Sequence, residues 1–282
     1  MQIYITQPTN NILTMHTENV FKAEPVSKYI INWLRNYATN AKVRGFVVGI
    51  SGGIDSAVTS SLCAATGLPT LCIEMPIHQA PNQVSRAKEH ITQLKNKFSN
   101  VSAAEADLTP VFETFKQQMP VSDNNYLYNL TLANTRARLR MTTLYYYAGI
   151  NSALVAGTGN KVEDFGVGFY TKYGDGGVDI SPIADLMKSE VRAVARYMGV
   201  PQSIIEAKPT DGLFGDNRTD EEQLGASYDE LEWAMLEDEN GATEDRFEGR
   251  HKEVFNIYKR LNTINQHKMN PIPVCKIPED LK

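Results

Sequence analysis

The feature that most constrains the fold of this chain is a short apolar run that ends in a glycine-rich turn. Residues 46–50, Phe-Val-Val-Gly-Ile, predict a strand that is buried on both faces. The turn Ser-Gly-Gly at 51–53 follows, and from Asp55 apolar residues recur at the spacing of a helix that ends near Gly67. Glycines allow a tight turn and let backbone N–H groups approach a ligand closely. This strand, turn and helix N-terminus together predict a phosphate or pyrophosphate site.

Three glycine-rich motifs compete for this stretch. The Walker P-loop requires a lysine after its glycines, and residues 45–87 contain none. The dinucleotide fingerprint requires Gly-x-Gly-x-x-Gly, which the glycine spacing does not match. Residues 49–53 do match Gly-x-Ser-x-Gly, the nucleophile elbow of α/β-hydrolases, so an esterase with Ser51 as nucleophile stays open. That esterase would take its histidine from later in the chain, at His251 or His267.

The longer pattern Ser-Gly-Gly-x-Asp-Ser, at residues 51–56, accounts for more positions than the elbow does. It is similar to the pyrophosphate loop of the ATP pyrophosphatases, which cleave ATP between its α- and β-phosphates. An esterase would leave Asp55 and Ser56 unexplained, and the His-Gly-Gly segment that its oxyanion loop needs does not occur.

Composition and charge narrow the function classes. At 282 residues and a net charge of −5, with twelve acidic side chains against one arginine in residues 220–248, the chain offers no polyanion-binding surface. We expect no nucleic-acid partner and solvated acidic helix faces. Cys63, Cys72 and Cys275 lack metal-ligand spacing, which predicts a reduced, cytoplasmic protein. No stretch approaches the ~20 apolar residues of a membrane span, so we expect no membrane partner.

The order of elements predicts the fold class. Strands alternate with helices, which indicates an α/β fold with a doubly wound, Rossmann-like parallel sheet flanked by helices and with ligands at the carboxyl ends of the strands. The predicted elements are helix 25–37, strand 46–50, helix 55–66, strand 70–75, helix 84–98, strand 101–108, helix 126–150, strand 153–156, helix 186–197, and two or three acidic helices before an irregular tail that starts at Gln266.

A second ligand loop follows the strand at 153–156. Residues 157–163, Gly-Thr-Gly-Asn-Lys-Val-Glu, should lie beside the first loop because the carboxyl ends of parallel strands share one edge. Residues 164–182 hold five glycines and no periodicity, which is typical of a binding loop. Lys188 continues the apolar face of the next helix, and the pattern leaves open whether it turns to the ligand edge or to solvent.

These motifs together carry a family resemblance. Residues 51–56 and 157–163, followed by Phe-Tyr-Thr-Lys-Tyr-Gly-Asp-Gly-Gly-Val-Asp at 169–179, are similar to the ammonia-dependent NAD synthetases of the ATP pyrophosphatase superfamily, from about residue 25 to 275. The resemblance implies a fold like that of the adenine nucleotide alpha hydrolases. It also implies one NAD synthetase domain, 1–282, with an arm at 1–23, the pyrophosphate loop and helix at 45–66, and a C-terminal helical part at 219–266.

The resemblance implies an activity as well. Family members adenylate the nicotinate carboxylate of deamido-NAD with ATP and Mg²⁺, and ammonia then displaces AMP in the last step of NAD biosynthesis. They act as homodimers. Nicotinate mononucleotide presents the same carboxylate and stays open as an alternative substrate. A tRNA-modifying enzyme with the same loop would have basic surface and paired cysteines, which this chain lacks. A nucleotide sensor would bind ATP without releasing pyrophosphate.

The resemblance further assigns site residues. Asp55 and Glu163 match magnesium ligands. Lys188 is expected to stabilise charge on the α-phosphate, and Asp179 to hold ammonium and share its proton. The positions that match ATP contacts are Gly49, Ile50, Ser51, Gly52, Gly53, Ile54, Asp55, Ser56, Thr158, Lys188 and Thr210. Those that match deamido-NAD contacts are Arg138, Lys172, Asp179, His267 and Lys268.

The chain departs from the family pattern at two places. Many ammonia-dependent members have Asp-His where this chain has Gly159 and Asn160, as glutamine-dependent relatives do, and one extra residue separates Glu163 from Lys172. About 44 residues precede the first loop, too few for a glutaminase domain, so free ammonia is the expected nitrogen donor, with a partner amidotransferase left open. Residues 78–86 and 208–219 are predicted lids that close on ATP.

Overall fold

The computed structural model describes residues 21–79, 81–210 and 219–282. Most of the predicted arm, and parts of both predicted lids, lie outside these residues. The strands are β1 (Phe46–Gly49), β2 (Thr70–Glu74), β3 (Val101–Glu105) and β4 (Leu154–Val155). The α-helices are α1 (Ala23–Asn40), α2 (Ile54–Ala65), α3 (Pro81–Lys97), α4 (Thr109–Gln118), α5 (Asn125–Asn151), α6 (Lys188–Met198), α7 (Gln202–Ile205), α8 (Asp220–Leu224), α9 (Tyr228–Glu239) and α10 (Gly249–Met269).

The four strands form one parallel sheet in the order β3-β2-β1-β4. Val47 pairs with Leu71 on one side and with Val155 on the other. The chain therefore runs outward from β1 through β2 and β3, then returns to the opposite side of β1 at β4. This reversal is the topological switch point at which doubly wound folds bind ligands, and it confirms the predicted fold class.

Alternating side chains of β1 enter two different cores. Phe46 and Val48 pack in a cluster with α1, α2 and α6, whereas Val47 packs on the other face with Phe112 of α4 and Leu132 of α5. Both faces of the sheet are thus covered by helices, which explains why the sequence of β1 is a continuous apolar run.

A third apolar cluster joins the C-terminal helices to the second ligand loop. Tyr228 and Leu231 of α9 and Phe255 of α10 pack against Val162 and Val167. These two valines bound a π-helical turn, Val162–Val167, that follows β4. A π-helix holds more residues per turn than an α-helix, and this turn carries Glu163 at its start.

Several predicted element bounds are wrong. The strand predicted to reach Leu108 ends at Glu105, and α4 was not predicted. Helix α10 runs to Met269, so His267 and Lys268 lie in its last turn rather than in an irregular tail. Tertiary contacts hold that turn, because Asn265 Nδ2 donates to the carbonyl of Val167 at 2.8 Å. Among the helices described, none is both long and apolar enough to cross a bilayer.

Candidate active site

The two ligand loops meet at the switch point and line a cavity of about 260 Å³. A smaller cavity lies against the same glycine-rich turn and shares Ser51, Asp55 and Thr210 with the larger one. The predicted ATP positions that line the larger cavity are Gly49, Ile50, Ser51, Asp55, Ser56, Thr158 and Thr210. Those that line the smaller one are Ser51, Gly52, Gly53, Ile54, Asp55, Lys188 and Thr210.

Two serines close the first loop on itself. Ser56 Oγ donates to the carbonyl of Gly53 at 3.0 Å, and Gly53 N donates to Ser51 Oγ at 3.2 Å. Gly52 has φ +78°, and a Cβ there would lie 2.5 Å from the backbone oxygen of Gln83 in α3. Only glycine fits this position, both for its backbone conformation and because α3 packs directly on the turn.

Lys188 joins the two loops at their charged centre. Its Nζ lies 2.6 Å from Asp55 Oδ2 and 3.1 Å from Glu163 Oε1, and its side chain is 3% exposed. Burial lowers the pKa of Lys188, but the charges of Asp55 and Glu163 outweigh it and raise the pKa above its ordinary value, so the side chain is a cation. Lys188 therefore turns to the ligand edge, and the interpretation as a solvent-directed lysine is wrong.

Asn160 orients both carboxylate loops. This buried side chain donates from Nδ2 to Asp55 Oδ1 at 3.2 Å, and its Oδ1 accepts from Glu163 N at 3.1 Å. A Cβ at Gly159 would lie 2.1 Å from Oδ1 of Asp164, so the glycine makes room for that carboxylate. Gly159 and Asn160, the two residues at which the chain departs from the Asp-His pattern, thus pack closely against Asp55, Glu163 and Asp164.

Asp164 lies against Gly159 in the second ligand loop. Its burial and the nearby negative charges of Glu163 and Asp175 raise the pKa of Asp164 to about 8. Asp164 is therefore largely protonated at neutral pH, which limits the repulsion among the carboxylates at this end of the site.

Tyr228 is a site residue that the sequence did not reveal. Its buried hydroxyl donates to Glu163 Oε1 at 2.5 Å and to Asp220 Oδ2 at 3.3 Å, and Lys188 Nζ lies 4.6 Å from its ring centroid. Burial, followed by the charges of Glu163 and Asp220, raises the pKa of Tyr228, so the hydroxyl remains a donor. The surrounding acidic segment predicted solvated helix faces, yet Tyr228 and Asp220 are buried.

The donor set at the centre fits Mg²⁺. Asp55 and Glu163 supply hard carboxylate oxygens from two loops that converge on one point. Within residues 21–79, 81–210 and 219–282, no group of three or more His, Cys, Asp or Glu side chains is placed to hold a metal ion. Two protein carboxylates completed by substrate phosphates and water form a common magnesium site.

The predicted deamido-NAD residues form a second group. Arg138 Nη2 donates to the carbonyl of Lys172 at 3.3 Å, and Lys172 Nζ donates to the carbonyl of His267. Lys268 Nζ donates to the carbonyls of Gly168 and Tyr170. The structure thus brings four of the five residues together where α5, the glycine-rich segment and the end of α10 meet.

The fifth residue, Asp179, lies apart from the other four. Its Oδ2 accepts from Val155 N at 2.8 Å and its Oδ1 accepts from the hydroxyl of Tyr145 at 3.0 Å, which fixes the carboxylate against β4. Asp175, which the sequence did not single out, is the carboxylate of this segment that lines the larger cavity. Its side chain accepts a hydrogen bond from Thr171 N at 2.9 Å.

The site does not support the esterase interpretation. In the part of the chain that the structure describes, Ser51 Oγ bonds to Ser56 Oγ and Gly53 N. His251 packs edge-to-face against Trp233 in the C-terminal cluster, with 4.6 Å between the ring centroids, and His267 lies with the second group above. Among the histidines of residues 21–79, 81–210 and 219–282, none hydrogen-bonds to Ser51, and His78 and His90 bond to Glu113 and Ser60 instead.

A doubly wound sheet whose switch point carries Ser-Gly-Gly-x-Asp-Ser opposite a carboxylate loop defines a nucleotide-binding enzyme of the ATP pyrophosphatase type. A family model described as NAD synthase matches residues 26–272. The ammonia-dependent NAD synthetase of Carboxydothermus hydrogenoformans is 37% identical over 87% of this chain and 94% of its own length. The corresponding enzyme of Mesoplasma florum is 38% identical over 86% of this chain and 92% of its own length.

A solved structure agrees with these sequence relatives. The NMN synthetase of Francisella tularensis superposes with a TM-score of 0.77 at 31% identity, covering 92% of this chain and 100% of its own. The chain belongs to the NAD synthase family. It is an ATP-dependent ligase that forms a carbon–nitrogen bond, and the relationship supports amidation of deamido-NAD rather than ester hydrolysis.

Proposed function

We propose that this ligase adenylates the nicotinate carboxylate of deamido-NAD and then transfers ammonia to it, with Mg²⁺ bound by Asp55 and Glu163. The observation that carries the proposal is the convergence of Asp55, Glu163 and Lys188 at the switch point, directly beside the pyrophosphate loop. A site that handles triphosphate and metal requires a fixed cation and hard carboxylate ligands, and these three residues supply both.

Adenylation requires compensation of negative charge. The nicotinate carboxylate oxygen attacks the α-phosphorus of ATP, and the bond from that phosphorus to the oxygen that bridges to the β-phosphate breaks, which releases pyrophosphate. Lys188, fixed by two carboxylates and packed on the ring of Tyr228, places a positive charge at the loop where the phosphates bind. Mg²⁺, when bound, neutralises phosphate oxygens and favours departure of pyrophosphate.

Amide formation requires ammonia as a free base. Its nitrogen attacks the acyl carbon, the bond from that carbon to the AMP oxygen breaks, and the surplus proton leaves with a base. Asp179 is our candidate for holding ammonium and accepting this proton. Its carboxylate is oriented by Val155 N and Tyr145. Asp175 lines the cavity and is the competing candidate.

Binding of the dinucleotide is assigned to the second group of residues. Arg138, Lys172 and Lys268 bring three positive charges to one place, and His267 adds a ring beside them. Such a cluster suits the pyrophosphate of deamido-NAD. The side chains are held through backbone carbonyls rather than by carboxylates, so their charges stay available to an anionic ligand.

We propose a homodimer that works in a reducing cytoplasm. Tyr146 and Ile150 lie one turn apart on the same face of α5 and are large apolar side chains exposed to solvent in the single chain, which is typical of a surface that a second copy covers. Cys63 and Cys72 are buried free thiols, in accord with a reducing compartment. Light scattering of the purified protein should give twice the chain mass, and a monomer mass at assay concentration would contradict the proposal.

One assay tests the reaction. The protein is incubated with ATP, Mg²⁺, ammonium and either deamido-NAD or nicotinate mononucleotide, and AMP, pyrophosphate and amide are measured together. We expect equal amounts of AMP and amide, with deamido-NAD as the better acid. The mononucleotide is included because one structural relative is an NMN synthetase. Tight ATP binding without pyrophosphate release would identify a nucleotide sensor instead.

A further inference from the structure

We infer that Arg86 is an additional phosphate-binding residue that, with Arg192 and Lys208, holds the β- and γ-phosphates of ATP in the smaller cavity. The inference rests on ATP being the co-substrate and goes beyond the positions that the family resemblance assigns. It starts from a difference in charge between the two cavities that meet at the glycine-rich turn.

The larger cavity is predominantly acidic. Of its charged lining residues six are carboxylates and one is an arginine: Asp55, Glu74, Glu105, Glu163, Asp175, Asp220 and Arg140. The smaller cavity has the opposite balance, with four cations against two carboxylates: Arg86, Lys188, Arg192, Lys208, Asp55 and Asp220. A polyphosphate chain is therefore drawn into the smaller cavity, and the larger one is left for the less charged adenosine part of the nucleotide.

Arg86 is the cation of the smaller cavity that is fixed but not neutralised. Its Nε donates to the carbonyl of Gly52 at 3.1 Å, which holds the guanidinium against the glycine-rich turn. No carboxylate in the described ranges forms an ion pair with it, whereas Lys188 is paired with Asp55 and Glu163, and Arg192 contacts Asp229 at 3.4 Å. The Nη groups of Arg86 remain available for bidentate contact with a phosphate.

The packing of α3 explains why an arginine at this position reaches the turn. The backbone oxygen of Gln83 would lie 2.5 Å from a Cβ on Gly52, so the first turns of α3 lie directly on the loop. Arg86 follows Gln83 by three residues and shares its face of the helix. The same contact that requires glycine at position 52 therefore places a guanidinium at the pyrophosphate end of the site.

Binding measurements with a series of phosphates test this role. Calorimetric titration of the whole protein with AMP, ATP and inorganic pyrophosphate is compared for the wild type and Arg86→Gln. We expect the variant to bind ATP and pyrophosphate about tenfold to a hundredfold more weakly, the loss typical of a hydrogen bond to a charged group, and to bind AMP as the wild type does. Arg86→Lys keeps the charge and should recover part of the pyrophosphate affinity.

Arg35→Gln is the matched control. The Nε of Arg35 likewise donates to a backbone carbonyl, that of Thr66, at 3.0 Å, at the other end of α2. This variant should bind all three ligands normally. Unchanged pyrophosphate binding in Arg86→Gln, or an equal loss for AMP and pyrophosphate, would overturn the inference, because the arginine would then be unnecessary or would only shape the loop.

These titrations also separate the inference from the proposed function. They require binding but no turnover, so a wild type that forms no amide while Arg86→Gln selectively loses pyrophosphate would contradict the amidation proposal alone. A wild type that forms amide normally, with an Arg86→Gln variant that binds pyrophosphate normally, would contradict the role of Arg86 alone.

Discussion

The ammonium group of Lys188 lies 2.6 Å from Oδ2 of Asp55, although the two residues are 133 positions apart in sequence. Asp55 lies in the first turn of α2, and Lys188 begins α6, which packs against α2 in the same apolar cluster. The fold thus sets a permanent cation at the pyrophosphate loop, which itself contains no lysine. This pairing makes Lys188 the first residue to test.

We predict that Lys188→Met lowers the rate of adenylation by about a hundredfold to a thousandfold, the range found when one electrostatic stabiliser of a transition state is removed. ATP affinity should change little, because Arg86 and the backbone of the turn remain. Pyrophosphate release, or positional isotope exchange in ATP without ammonia, measures the step. Lys259→Met, which removes a surface ion pair to Asp238, is the control. A normal adenylation rate in Lys188→Met would make the lysine merely structural.

Removal of either central carboxylate should stop turnover. Asp55→Asn and Glu163→Gln each remove a negative oxygen from the proposed magnesium site while keeping the side-chain volume, and we expect activity to fall more than about a hundredfold with the far-UV circular dichroism unchanged. Activity is measured across a magnesium titration. If either variant keeps wild-type activity at low magnesium, that carboxylate is not a ligand.

The location of the site followed from the sequence, because strand periodicity, glycine spacing and the strand-end rule are local signals that a parallel sheet converts into one shared edge. Ser51 and Glu163 were predicted to lie near each other for this reason. The contacts that complete the site carried no such signal, although Asn160 lies in the predicted second loop. Tyr228 and Asn160 act through contacts to Glu163 that depend on the packing of α9 and of the π-helical turn.

Arg86 and α4 illustrate the same limit. Arg86 appears in sequence as an ordinary helix arginine, and only the packing of α3 on Gly52 gives it a place at the turn. The helix α4 begins at Thr109, directly after the predicted strand 101–108, in a stretch for which no helix was predicted, and it buries Phe112 under the sheet. Local propensity does not decide between helix and strand for this segment, and the burial of Phe112 in the core favours the helix.

Tyr228→Phe tests how Glu163 is oriented. Loss of the hydroxyl removes a donor from Glu163 and from Asp220, so we expect kcat to fall about tenfold to a hundredfold and the magnesium requirement to rise, as when other second-layer partners of metal ligands are removed. The control is Tyr258→Phe in the same cluster, whose hydroxyl bonds to Asp238 away from the site. Equal magnesium dependence in the two variants would show that Tyr228 serves packing alone.

His90 should make stability depend on pH. This fully buried residue of α3 bonds through Nε2 to Ser60 Oγ at 2.9 Å, and burial lowers its pKa to about 4 from an ordinary 6.5. Because the unfolded chain takes up the proton first, the contribution is complete above pH 6.5 and is lost as the pH falls towards 4, on the order of 3 kcal/mol in total. Urea unfolding at pH 7.5 and 4.5 measures it.

His90→Gln retains an amide that can bond to Ser60 and does not titrate in this range. The variant should therefore lose less stability than the wild type between pH 7.5 and pH 4.5, whatever its stability at pH 7.5. An identical loss in both proteins would mean that other groups, such as the paired carboxylates, account for the acid sensitivity.

Asp179 and Asp175 are the two candidates for the carboxylate that binds ammonium and accepts its proton. If Asp179 holds ammonium and accepts its proton, Asp179→Asn should raise the KM for ammonium and slow amide formation about a hundredfold to ten-thousandfold, the range of general base catalysis. Pyrophosphate release without ammonia should continue at the normal rate. Asp175→Asn, four residues away in the same glycine-rich segment, is the comparison, because this carboxylate lines the larger cavity whereas Asp179 is held by Val155 N and Tyr145. Single-turnover experiments that start from the preformed adenylate isolate the ammonia step. If the KM for ammonium rises only in Asp175→Asn, the role belongs to Asp175, and a rise in the KM for deamido-NAD alone in Asp179→Asn would make Asp179 a substrate-positioning residue.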